Sequence, residues 1–129
     1  MSVQKKGYVA LLKEPLTRET LEAIVENWLT RFDAVEQLKP GSKQIAAFAV
    51  RKPQDLVWEK DPQFRVLAGE QFAWVFLTEG RRIIEADGLT APDGPALSLD
   101  VLLEIPGCEK VVSDHDDKIL DEWEKAGLM

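Results

Sequence analysis

A chain of 129 residues with 45% hydrophobic and 30% charged side chains has the length and balance of one domain, residues 1–129, with a single core. Its short apolar runs exclude a helical membrane span, one cysteine excludes an intramolecular disulfide, and a net charge of −7 argues against general nucleic-acid affinity. The two lysines before the first apolar run do not make a signal peptide, so a cytoplasmic and bacterial protein is expected.

Residues 7–12 form a short apolar run closed by Lys13, Glu14 and Pro15, which predicts a first strand. Thr17 then offers an N-cap, with Leu16 and Leu21 placed as a hydrophobic staple. Leu21, Ile24, Val25, Trp28, Leu29 and Phe32 recur at three- and four-residue steps, which predicts a long amphipathic helix. It is expected to run to 32–38 and to stop before Lys39, Pro40, Gly41 and Ser42. Residues 44–50 read as a buried strand, joined to the first by a right-handed crossover that would make the two parallel. Residues 53–63 hold two prolines and predict a loop or a single helical turn.

The centre of the chain carries the clearest pattern. Three antiparallel strands are predicted at about 64–68, 71–78 and 81–86, separated by turns at Gly69 and Gly80. The middle one is apolar at both parities, with Phe72, Trp74 and Phe76 alternating with Ala73, Val75 and Leu77. A strand of that kind is expected at the centre of a sheet and covered on both faces. Residues 87–96 are rich in glycine and proline and predict a surface loop. Residues 97–105 fit a short helix capped by Ser98, or a strand, and 110–112 fit a short strand. Residues 113–126 predict a closing helix, with Ser113 as N-cap, Asp116 at its third position and Gly127 as its stop.

These elements predict an α+β fold in two layers. A mainly antiparallel sheet of about five strands has the long amphipathic helix across one face, and the C-terminal helix on that face or at an edge. The far side of the 71–78 strand would then be closed by residues 53–63, by residues 97–105, or by a second copy of the chain, which predicts a homodimer.

Chemistry is less marked. Gly88 and Gly94 lack the lysine of a P-loop, and no Gly-x-Gly-x-x-Gly follows any strand. His115 lies between Asp114 and Asp116, and a general base or metal ligand would need such carboxylates, or Asp121, to hold its imidazole. With one histidine and one cysteine in the chain, the acidic start of a helix explains the cluster better, and no metal or cofactor is expected. A small enzyme would use His115 with Asp114 or Cys108. The pairs Asp116–Asp117 and Asp121–Glu122 belong to a solvated helix surface.

Charge is uneven along the chain. Residues 39–82 carry 8 basic and 5 acidic side chains, and residues 83–129 carry 3 and 12. In the basic middle, Arg51, Trp58, Arg65, Arg81 and Arg82 mix cations with aromatic surface, the chemistry that grips single-stranded nucleic acid. The acidic total works against that reading. With His115, these residues form the candidate binding set. The expected role is that of a non-catalytic interaction domain, its partner a second copy or another protein and not a membrane.

Overall fold

The backbone of the central strands leaves the edges of the fold to be settled by pairing, and the computed structural model, which describes residues 4–39, 46–90 and 96–128, shows how. Its elements in chain order are β1 (Gln4–Leu12), α1 (Arg18–Arg31), β2 (Ala34–Leu38), β3 (Ala47–Val50), a 3-10 turn (Pro53–Asp55), β4 (Gln63–Ala68), β5 (Gln71–Leu77), β6 (Ile83–Thr90), α2 (Leu97–Leu103), β7 (Cys108–Ser113) and α3 (Asp117–Lys125). The strands form one sheet in the order β3-β2-β4-β5-β6-β1-β7, and every neighbouring pair is antiparallel. The fold is therefore α+β with an antiparallel sheet. It has seven strands among the described residues, where about five were expected.

α1 begins as the sequence predicts. The Thr17 hydroxyl accepts the Thr20 N–H at 3.1 Å, and Leu21, Ile24, Val25 and Trp28 are buried on one stripe. Its end comes earlier than expected. Phe32 turns extended, and the Asp33 N–H donates to the Leu67 carbonyl, which delivers the chain straight into β2 beside β4. Leu38 then pairs with Ala47 of β3, an antiparallel partner. The parallel crossover from the first strand to residues 44–50 is thus not formed, because β1 instead fills the gap between β6 and β7. Of that expected strand, residues 44 and 45 lie outside the described residues.

One face of the sheet holds the main core. Ala10, Leu12, Val35, Phe64, Val66, Ala73, Val75, Leu77, Ile84 and Ala86 pack there beneath α1 and α2. The helices are tied to each other: the buried Trp28 indole N–H donates to the Val101 carbonyl at 2.9 Å, and the Asn27 amide donates to the Glu104 carbonyl. Both acceptors lie in or just beyond the last turn of α2, where carbonyls lack intrahelical partners. Residues 97–103 are therefore helix, and Ser98 serves not as its cap but as a buried hydroxyl donating to the Lys6 carbonyl at 2.8 Å. Gln37, wholly buried, holds both the N–H and the carbonyl of Val57 at 2.8 Å and so pins the 53–63 segment to β2.

α3 departs from expectation. It lies on the opposite face from α1, where Ile119, Leu120, Trp123 and Leu128 pack on Val9, Leu11, Ile83 and Val112. Its N-cap is Asp116, whose carboxylate accepts the Ile119 N–H, while Ser113 ends β7 and its hydroxyl accepts the His115 N–H. Gly127, at φ 76°, closes it with the Leu128 N–H on the Trp123 carbonyl, a Schellman arrangement. Of the expected 87–96 loop, residues 87–90 belong to β6, paired with β1, and 91–95 lie outside the described residues.

Candidate functional site

β5 is the fourth of the seven strands, so its two faces show what the rest of the chain covers. Ala73, Val75 and Leu77 are no more than 2% exposed beneath the helices. Phe72, Trp74 and Phe76 point the other way and are partly exposed. The expectation that β5 is covered on both faces is corrected here. Residues 53–63 and 97–105, two of the three suggested covers, both pack on the α1 side, and α3 reaches only β6, β1 and β7.

Register assembles the open surface. Trp74 stands opposite Arg65 on β4 and Asp87 on β6; Phe72 stands opposite Leu67, and Phe76 opposite Gln63 and Glu85. Phe72 and Trp74 meet edge to face at 5.9 Å between ring centres. Leu89, one of the few large apolar side chains left exposed, extends the row at 50% exposure. On the β6 side an open groove of about 330 Å³ is lined by Lys5, Phe72, Trp74, Phe76, Asp87 and Leu89. A smaller hollow of about 160 Å³ continues it past Phe76 to Arg81 and Glu85.

The charges on this face are placed unevenly. On the β4 flank, Arg65 reaches Glu36 through Nη2 at 2.6 Å and Nε at 2.8 Å, and its guanidinium carbon lies 5.5 Å from the Trp74 ring centre. That is a cation held between a carboxylate and an indole face. On the β6 flank, Asp87 and Asp114 converge over Gly7, where a Cβ would collide with both carboxylates. Partial burial and then the charges of Asp87 and Asp114 push the Glu85 carboxyl above its usual range. Lys5 lies 4.0 Å from Asp87, and His115 lies 3.6 Å from Asp114.

The sequence-derived candidates do not gather at one place. Arg65 and Arg81 border the aromatic row. Arg51 is exposed at the end of β3, Trp58 packs against the main core, and Arg82 is spent on the Leu12 carbonyl and Glu109. The His115 side chain is 90% exposed at the turn before α3. Cys108 begins β7 and Ser113 ends it, so the length of the strand separates the thiol from the turn that carries His115. Burial pushes the Cys108 thiol pKa up, away from thiolate chemistry. Among the described residues, no group of three or more His, Cys, Asp or Glu is arranged to hold a metal ion.

The residues that sequence reading assigned to the core, Phe72, Trp74 and Phe76, are thus the ones that make the surface. The signal lay in the flanking strands: Arg65, Glu85 and Asp87 pair onto the same face, and three charged neighbours mark a face that meets water. No protein-family model, no curated protein and no solved structure matches the chain.

Proposed function

We propose that the chain is a non-catalytic, cytoplasmic interaction domain that docks another protein on the uncovered half of its sheet. The observation that carries this reading is the row Phe72, Trp74 and Phe76 with Leu67 and Leu89, left partly or largely open at the centre of the fold. Aromatic side chains on a rigid strand bury large area at small entropic cost, which is why Trp and Arg dominate interface energetics. The polar flanks Glu36–Arg65 and Asp87–Glu85 would form the rim around that apolar centre. A second copy of the chain is the other candidate for this face, but each copy carries −7, so association of two would work against its own charge. Among the described residues, no helix is long and apolar enough to cross a membrane.

Catalysis has less support, since His115 and Cys108 stand apart and the groove holds no nucleophile with a base. Nucleic-acid binding has less support too, because Arg65 and Arg82 are already paired with Glu36 and Glu109.

The test is a photo-crosslinking amino acid at position 72, with the same group at Ala23, which is exposed on α1, as control. Irradiation in the cells that express the protein should give a discrete adduct from position 72 alone. Equal products from both positions, or none, would sink the reading. An adduct of twice the chain mass would identify a second copy as the occupant.

A further inference from the structure

We propose that the groove between Trp74 and Asp87 receives a cationic side chain, arginine or lysine, from a basic segment of the docked partner. This rests on the docking reading above and goes further by naming the chemistry of the guest.

The β4 flank of Trp74 shows what the site accepts. There a guanidinium lies against the indole, and Glu36 holds it by two hydrogen bonds to one oxygen. The β6 flank repeats the acceptor half of that arrangement. Trp74 supplies the same ring, Asp87 is its direct cross-strand neighbour, and the groove lies between them. Cation–π attraction and carboxylate pairing act together best where both partners are partly withdrawn from water, as here.

Charge balance favours the same guest. Glu36 and Arg65 cancel on one flank, whereas on the other Asp87 and Asp114 meet over Gly7 and their charges reach Glu85. Cations near them include Lys5, at 4.0 Å from Asp87 with its side chain 70% exposed, Arg81 in the hollow beside Glu85, and His115 beside Asp114 if protonated. A carboxyl pushed upward by partial burial and then by its acidic neighbours, as Glu85 is, gains from an added cation. The wall opposite these carboxylates is aromatic and apolar, so a hydrated metal ion would leave Phe72, Phe76 and Leu89 unused. A guanidinium or ammonium on an alkyl stem uses both halves. The acidic stretch 83–129 adds long-range attraction for a basic segment.

The experiment titrates the full chain, at about 20 mM and about 300 mM salt, with the peptide acetyl-Gly-Leu-Arg-Leu-Arg-Leu-Gly-amide. An otherwise identical peptide carries citrulline, which keeps the shape without the charge. Indole N–H resonances report binding, with Trp74 assigned by Trp74→Phe. The arginine peptide should bind at least about tenfold tighter than the citrulline peptide at low salt. That ratio should collapse in Asp87→Asn, an exposed-face change that leaves the core intact. Lys5→Gln, which removes a competing cation, should strengthen binding severalfold. Equal affinity of the two peptides would overturn the cationic guest while leaving the docking face in place. Absence of binding to either peptide at about 1 mM would overturn it as well, and the position-72 crosslink would then decide the docking reading separately.

Discussion

Trp28 and Trp74 lie on opposite faces of the sheet, and replacing each by alanine measures how differently the two faces are covered. Trp28 is wholly buried, packs edge to face on Phe64 at 6.0 Å between ring centres, and donates its N–H to Val101 at 2.9 Å. Losing a buried tryptophan side chain costs about 3–5 kcal/mol, and the orphaned Val101 carbonyl adds about 1 kcal/mol. Trp74 loses its contacts with Phe72 and Arg65 but already meets water, so Trp74→Ala should cost only about 1–2 kcal/mol. Urea unfolding followed by far-ultraviolet circular dichroism reads both, with the slope against denaturant checked for constancy. Acrylamide should quench Trp74 more readily than Trp28. A cost for Trp74→Ala equal to that of Trp28→Ala would refute the open face. So would a wild-type midpoint that climbs with protein concentration, because then a second copy covers the ring.

Other changes test separate parts of the structure. Gln37→Met keeps the volume but strands both polar groups of Val57, so stability should fall by about 1–3 kcal/mol and amide exchange should quicken across residues 55–59. Glu85 has a raised carboxyl pKa, so its ionised form costs stability as pH rises through the folded-state value. Glu85→Gln should therefore raise the unfolding free energy from urea titration at pH 7, by less than about 1 kcal/mol, and lose that advantage below the ordinary value of 4.5. Asp116→Ala removes the cap of α3 and should cost about 0.5–2 kcal/mol, with exchange quickening in α3 before the rest of the sheet.

Local chemistry made α1 and the strands β4 and β5 readable. Thr17 and the stripe from Leu21 to Trp28 announce the helix, and the turns at Gly69 and Gly80, with φ of 60° and 76°, bound the central strands. β2 was hidden because Ala34, Glu36, Gln37 and Leu38 include good helix formers, and only pairing with β3 and β4 overrides that preference. Its alternation was also masked by Gln37, a polar residue at a core position that earns its place through Val57. The end of β6 was hidden for another reason. Asp87-Gly88 looks like a turn, yet Gly88 sits inside a strand because a Cβ there would come within 3.0 Å of the Phe72 carbonyl. The pairing of β1 with β6 and β7 joins distant parts of the chain, and no local pattern reports it.

The open quadrant follows from lengths. Seven strands at about 4.8 Å spacing put the outer strands about 29 Å apart, while the nine residues of α3 span about 13.5 Å. One such helix covers roughly half the face, and Val9, Leu11, Ile83 and Val112 show which half. On the other face, fourteen residues of α1 and seven of α2 lie side by side, joined through Trp28 and Val101, and they close it. Covering the remaining half from within would take another helix, and among the described residues all three are already placed. An aromatic row left there by accident would be an adhesive surface. This row is instead bordered strand by strand with Glu36, Arg65, Glu85 and Asp87, which raise the cost of indiscriminate contact.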